Sequence, residues 1–296
     1  MRVVLIVNPY ASAVTEARVR AVEQELGRVA STTTLLTERP GHAIELASRA
    51  ADFDALVVVS GDGGFNEVLN GALAAIPLGF LPGGGTNVLS RALGLSRDLP
   101  AATRQVAEAL SSGRTRTISV GRVNGRRFGF SAGLGLDAEL VRRVDALGRR
   151  EDGKRPGDAA FVASALRLVA QRRGSFEPAL EVAGLGRAAF ALVANTDPYT
   201  YAGSIPLHVA PEARFELGLD LLAPRQLRAH SLPGLLGQVV SGRGLSRSRA
   251  LLYAHDLDRI EIACDRPLPL QADGEDLGDV EHAVFEAERG AIAVLV

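Results

Sequence analysis

From its first residues the chain alternates short β-branched runs with segments of helical period. Val3 to Val7 is an unbroken apolar run of strand length, and Thr15 to Arg28 sets Val19, Val22 and Leu26 on one helical face. Thr32 to Leu36 predicts a second strand and Ala43 to Ala51 a second helix. Ala55 to Val59 predicts a buried third strand, which Gly61 to Gly64 breaks sharply. A helix over about Phe65 to Ala74 and a strand over Leu78 to Leu81 follow. Strands that alternate with helices predict a parallel sheet covered on both faces, an α/β domain.

After Arg114 the pattern changes. Thr117 to Val123 and Arg126 to Ser131 read as strands joined by the turn Asn124-Gly125, a hairpin signal. Helical stretches cover Ala138 to Leu147 and Asp158 to Arg173, and a later one Arg225 to Val240. Strand-like runs occupy Ala188 to Ala194, Gly218 to Leu222, Leu251 to Ala254, Arg259 to Ala263, Leu268 to Ala272 and Ala291 to Val296. Short strands without helical crossovers predict a mainly antiparallel sandwich or barrel-like second domain. The expected division is 1–117 and 118–296, with the last strand free to return to the first domain. With no long linker, the two are expected to pack together around a cleft.

Composition narrows the chemistry. Among 296 residues, 47% are hydrophobic and 23% charged, and the net charge of -1 gives no basic field for nucleic acid. Lys154 is the only lysine, so no lysine precedes a Ser or Thr in a phosphate loop and a Walker-type loop is excluded. Cys264 is the single cysteine, which excludes an intramolecular disulfide and a cysteine-built zinc site. Its apolar surroundings predict a buried structural thiol. His42, His208, His230, His255 and His282 have no metal-ligand spacing. No segment approaches the roughly 20 apolar residues that span a bilayer. Arg2 to Val7 is too short for a signal-peptide core, so a cytoplasmic protein is expected, meeting a membrane only from its surface.

The candidate chemistry lies in two glycine turns. Residues 55–71 read as a strand, a tight turn and a helix start. Gly61, Gly63 and Gly64 let the backbone approach a ligand, and N–H groups at the helix start would face an anion. Asp62 beside phosphates makes sense if it holds a metal ion or a water. Its plainer reading is a helix cap, with the glycines as turn residues. Asn66, Glu67 and Asn70 put polar groups on an otherwise apolar helix. Residues 81–92 repeat the arrangement, with Gly84, Gly85, Thr86 and Asn87 at the same edge. Ligands of open parallel sheets bind at the carboxyl ends of the strands, so two such turns favour a nucleotide site.

These residues resemble the diacylglycerol kinase catalytic family, which includes bacterial lipid kinases and sphingosine kinases. Asn8-Pro9, with Ser12 in a glycine position, resembles its Asn-Pro-x-Ser-Gly motif, and Thr37 a nucleotide-contacting threonine. Gly61-Asp-Gly63 with Glu67 and Asn70-Gly71 resembles Gly-Gly-Asp-Gly-Thr-x-x-Glu-Val-x-Asn-Gly. Pro82 to Asn87 is similar to the Pro-x-Gly-Thr-x-Asn-Asp loop. Gly121 to Gly125 with Phe128 resembles the hairpin that opens the second domain. Val209 to Ala213 is similar to the stretch before a metal-binding Asp-Asp-Gly, and Gln271 to Glu275 to the late Asp-Gly-Glu motif. The resemblance implies a phosphofructokinase-like α/β nucleotide domain and a β-sandwich lipid domain, with the site between them. It implies ATP with Mg2+ on the loops, and Asp273 and Glu275 facing the γ-phosphate. Glu275 is the preferred general base toward a lipid hydroxyl. Asp62 and Glu216 are its candidate metal ligands. Diacylglycerol is the default acceptor, and transient contact with a membrane and a homodimer are the implied associations.

The sequence departs from the family pattern in two ways. Ser60 replaces the first glycine, Gly64 the threonine, and Gly85 a further threonine with Thr86 one place later. Carboxylates are lost at Val88, Ser119 and Leu217, with Glu216 a partial substitute. Two other readings therefore stand beside the lipid kinase: a soluble-substrate kinase like NAD kinase, and a weakened relative that binds lipid or nucleotide without turnover. Ser131 and Ser204 form no Gly-x-Ser-x-Gly elbow. The basic stretch Arg142 to Arg155, followed by Phe161, Leu166, Leu168 and Val169, could rest on anionic lipid. A solvated arginine-rich helix pair is the favoured reading, because Glu151 and Asp152 interrupt it.

Overall fold

The structure, a computed structural model, describes residues 1–72, 76–148, 158–172 and 174–296. It forms two compact units, Met1–Ser119 with Gly290–Val296, and Val120–Arg289.

The first unit contains β1 (Arg2–Val7), α1 (Glu16–Leu26), β2 (Ser31–Leu36), α2 (His42–Ser48), β3 (Ala55–Ser60), α3 (Asp62–Gly71), β4 (Leu78–Pro82), α4 (Val88–Ala92) and α5 (Leu99–Ser112). Its strands pair in the order β2-β1-β3-β4, all parallel. Val294, in the returning C-terminal strand, runs parallel to Leu78 of β4. Val3, Leu5 and Val7 of β1 and Ala55, Val57 and Val59 of β3 share a core with Val22 and Leu26 of α1 and Ala102 and Val106 of α5. The period of two sends the alternate side chains to the opposite face. There Phe65 of α3 meets Phe80 of β4 edge to face, 5.4 Å between ring centroids. Val7, Leu36, Val59 and Leu81 stand in register across the four strands. Asn8, Thr37, Ser60 and Pro82 therefore leave the sheet at one edge.

The second unit begins in β5 (Thr115–Val123), which continues from the first. It adds β6 (Arg126–Phe128), β7 (Ser131–Leu134), α6 (Leu136–Ala146), α7 (Asp158–Gln171), β8 (Ser175–Phe176), β9 (Leu180–Val182), β10 (Gly186–Ala188) and β11 (Ala191–Ala194). Then follow β12 (Thr200–Ala202), β13 (Ile205–Leu207), β14 (Leu219–Pro224), β15 (Leu227–Arg228), α8 (Leu232–Ser241), β16 (Leu251–Leu257), β17 (Arg259–Ala272) and β18 (Glu275–Leu295). An antiparallel sheet runs β16-β14-β11-β7-β17-β18, and β9 joins β17 to β10. Phe128 and Phe285 pack edge to face in its core, beside Leu134, Val193 and Leu221. The chain is thus an α/β parallel-sheet unit followed by a mainly antiparallel β-sandwich-like unit.

Several elements differ from expectation for local reasons. α3 starts at Asp62, because Gly61 takes an extended conformation and serves as its N-cap. The runs Arg259–Ala263 and Leu268–Ala272 are one strand whose register shifts between them, and Ala291–Val296 is the tail of the long β18. Helix α8 begins only at Leu232, since Leu227 and Arg228 pair with β8. Helix α5 was not among the expected elements, yet Asp98 caps it through Ala101 N–H (3.1 Å) and Gly113, at φ 68°, ends it. The basic stretch from Arg149 to Arg155 lies outside the described residues.

Candidate active site

The edge of the parallel sheet is held together by reciprocal bonds between its turns. Asn8 N–H donates to Val59 O (3.0 Å), its Nδ2 to Ser60 Oγ (3.4 Å), and its Oδ1 accepts from Tyr10 N–H (3.0 Å). Pro9 and Ser12 are exposed in the turn that follows. Thr37 is buried and donates its N–H to Val7 O (2.9 Å). Gly83 N–H donates to Ser60 O (2.7 Å), tying the second glycine turn to the first. Asn87, in the left-handed region at φ 51°, accepts from Gly84 N–H (2.8 Å) and donates back to Gly84 O (2.7 Å). That closes the loop on itself and exposes Gly85 at its tip.

Asp62 spans the two turns. Its Oδ2 accepts from Val88 N–H (3.0 Å) and its Oδ1 from Leu89 N–H (3.2 Å), so it caps α4 rather than its own helix. A helix leaves its first N–H groups without intrahelical acceptors, and a carboxylate there is also favoured by the helix dipole.

Glu67 accepts from Gly41 N–H (2.8 Å) and Ala43 N–H (3.0 Å) and caps α2. Gly71 completes the contact: a Cβ there would lie 2.2 Å from Ile44 O of the same helix. Asn66 is buried, with its backbone carbonyl and Oδ1 accepting from Asn70 Nδ2 (2.8 and 3.2 Å). The Glu67 to Gly71 motif therefore docks α2 on α3.

In the second unit, Asp273-Gly274 forms the two-residue turn of the β17–β18 hairpin, with φ of 50° and 79° and Ala272 opposite Glu275. Asp273 is buried and accepts from Gly129 N–H (2.6 Å), Phe130 N–H (3.0 Å) and Ser131 N–H (3.2 Å). Buried N–H groups need an acceptor, and Asp273 supplies one to all three. Glu275 is partly exposed and pairs with Arg126 Nη2 at 3.2 Å. Gly274 N–H donates to Gln271 Oε1 (2.8 Å), while Gln271 Nε2 donates to Asp137 Oδ2 (2.6 Å). The Tyr199 hydroxyl donates to the same oxygen (2.8 Å). Asp137 and Tyr199 had no signal in the sequence, because 62 to 134 positions separate these partners.

Glu216 is exposed on a turn, and no cluster of three or more His, Cys, Asp or Glu that could cage a metal occurs among the described residues. The nearby Asp220 is fully buried, with both oxygens 2.9 Å from His255 Nδ1. His208 Nδ1 likewise meets Asp197 at 2.7 Å. Burial pushes the Cys264 thiol up to about 11, which leaves it protonated and unreactive near neutral pH.

Comparison with known families then decides the assignment. Residues 2–123 match the diacylglycerol kinase catalytic domain, and residues 131–296 match the YegS C-terminal NAD kinase beta sandwich-like domain. The chain belongs to the family that joins a diacylglycerol kinase catalytic domain to a YegS-type C-terminal domain. A diacylglycerol kinase of Bacillus subtilis (strain 168) is 39% identical over 116 residues, which is 37% of this chain and 37% of that protein. The match thus spans little more than a third of that relative's length. A diacylglycerol kinase from Bacillus anthracis str. Sterne has a fold similar at a TM-score of 0.72 with 19% identity, covering 99% of this chain and 96% of that one. An NAD kinase from Archaeoglobus fulgidus in complex with ATP gives 0.56 with 14% identity, covering 100% and 94%. At these identities the two structures establish the fold.

The family pattern makes one pair of departures intelligible. Ser60 stands for a glycine and Gly64 for a threonine. A Cβ built on Gly64 would lie 2.1 Å from Ser60 Oγ. A side chain at position 64 and the Ser60 hydroxyl would thus occupy the same small volume. At two of the positions that lack an acid, Val88 donates its N–H to Asp62 (3.0 Å) and Ser119 Oγ accepts from Gly290 N–H (3.3 Å).

Proposed function

We propose that the protein is an ATP-dependent lipid kinase, transferring the γ-phosphate to a lipid hydroxyl, with diacylglycerol as acceptor and phosphatidic acid as product. The observation that carries this is Gly85. It is exposed, its φ is not left-handed, and a Cβ there would meet nothing within 4 Å. The fold itself thus has no need of glycine at the tip of a loop closed by Asn87. A phosphate approached by the backbone supplies the need.

In this reading Asn8, Thr37 and the turns 61–64 and 84–87 cradle the nucleotide, mainly through backbone N–H groups. Mg2+ fits as a companion of the phosphates, since it takes one or two carboxylates and otherwise phosphate and water oxygens. Asp62, held on the N–H groups of Val88 and Leu89, is the carboxylate that would meet the ion, which would neutralise charge on the transferred group. Glu275 takes the proton of the acceptor hydroxyl as its oxygen bonds to the γ-phosphorus and the bond to ADP breaks. Arg126, paired with Glu275 at 3.2 Å, holds the carboxylate in place. Asp273, fixed on three N–H groups, positions the turn that carries Glu275. Acting on a lipid implies working from the membrane surface, and no helix among the described residues is long and apolar enough to cross one.

Radiolabelled ATP with Mg2+, offered with diacylglycerol, sphingosine and NAD in parallel, tests the reading. Label in a lipid supports it and names the acceptor. Label in NAD alone replaces it with the soluble-substrate kinase, and ATP binding without transfer replaces it with a binding protein.

A further inference from the structure

Helix α8 contradicts the usual relation between composition and burial. It has no charged residue, and Gln238 and Ser241 are its polar side chains, a composition expected of a buried helix. Yet none of its residues is buried. Leu232, Leu235 and Val239 turn inward against the second unit's core. Leu236, 61% exposed, and Val240, 48% exposed, stand one turn apart on the outer face. The neighbouring hairpin extends this face: His208 N–H donates to Val239 O (2.7 Å), and Ile205 on β13 is 50% exposed.

The surrounding charge is equally one-sided. From Leu221 to His255 the chain contains no Asp or Glu but five arginines, Arg225, Arg228, Arg243, Arg247 and Arg249, in a protein of net charge -1. All five are exposed, and none makes an ion pair among the described residues. Several arginines elsewhere in this unit are paired, Arg122 and Arg127 to Glu288, Arg142 to Asp276 and Asp279, and Arg259 to Glu261. Arg142, at the start of the basic stretch read as a solvated helix pair, is thus paired within the protein.

We propose that α8 and the arginines flanking it form the face by which this protein docks on an anionic phospholipid surface. Leu236, Val240 and Ile205 enter the interfacial layer, and the arginines pair with lipid phosphates. Neutral apolar helix and unmatched cations together fit a bilayer with anionic headgroups, whose two layers of chemistry they mirror. This rests on the lipid-kinase reading for its purpose, but not for its test.

The full chain is sedimented with phosphatidylcholine vesicles, with and without phosphatidylglycerol, in the absence of ATP and of any acceptor lipid. The expected result is binding to the anionic vesicles that weakens with salt. Leu236→Asp with Val240→Asp, and separately Arg243→Ser with Arg247→Ser and Arg249→Ser, should each lower the partition coefficient at least about tenfold. Their circular dichroism and transfer to detergent-dispersed lipid should stay as in the wild type. Unchanged partition in either variant, or wild type left in the supernatant, overturns the proposal. So does a wild-type dimer that the Leu236 and Val240 changes dissociate without any vesicle binding, since the face would then cover a second copy. Vesicle binding that responds to these variants without transfer to any acceptor would leave the docking face standing and remove the kinase reading alone.

Discussion

Asp62, at the start of α3, accepts the N–H of Val88, at the start of α4, at 3.0 Å. One carboxylate from the first glycine turn thus caps the helix that follows the second, 26 positions away. Removing it leaves two helix-terminal donors without their acceptor. Asp62→Ala should lower stability by about 1–2 kcal/mol, read as the urea midpoint, and weaken nucleotide binding by loosening the loop edge. An unchanged midpoint would show that this cap contributes nothing.

Ser60 and Gly64 should behave as one unit. Gly64→Thr alone forces a side chain into the volume of Ser60 and should cost about 2 kcal/mol. Ser60→Gly with Gly64→Thr restores the family's arrangement and should recover most of that loss. A double-mutant cycle by urea denaturation should give a coupling above about 1 kcal/mol. Additive effects would mean that the two positions are not compensatory.

Gly71 and Gly85 separate fold from ligand. Gly71→Ala drives a Cβ against the backbone of Ile44 and should destabilise by about 3 kcal/mol. Gly85→Ala meets open space and should change stability by no more than about 0.5 kcal/mol. Its ATP affinity, measured by calorimetry, should nonetheless fall about tenfold or more, because the added methyl stands where the phosphate must approach.

Asp137 predicts a pH dependence. Part of the residue reaches the surface, yet its carboxyl is enclosed, and this burial raises its pKa against the opposing hydrogen bonds from Tyr199 and Gln271. A folded-state pKa above the unfolded value near 4 means its contribution to stability is full below that value and is lost as pH rises through the folded pKa. Both donors address the same oxygen, so Asp137→Asn can keep them. The variant should gain stability relative to wild type as pH is raised from about 4 to about 7. Parallel urea midpoint curves for the two proteins would contradict this.

The alternation of strands and helices was legible because each element carries its own period, and the two glycine turns because breakers follow buried strands. Partners were less legible. Glu67 and Asp273 have the residue type of a ligand site, but their oxygens are taken by N–H groups 24 to 144 positions away, which no local pattern reveals. Burial was legible as hydrophobicity only where a sheet covers it. Helix α8 has a core composition and lies on the surface, so its function is written in the mismatch between sequence and structure.

The central claim is phosphate transfer to a lipid through Glu275, and transfer of label from ATP to detergent-dispersed diacylglycerol, compared between wild type and Glu275→Gln, tests it most directly. The account predicts labelled phosphatidic acid from the wild type and a loss of about a hundredfold or more in the variant, with ATP affinity retained. Equal rates in the two proteins, or no lipid product from a wild type that binds ATP, would contradict it.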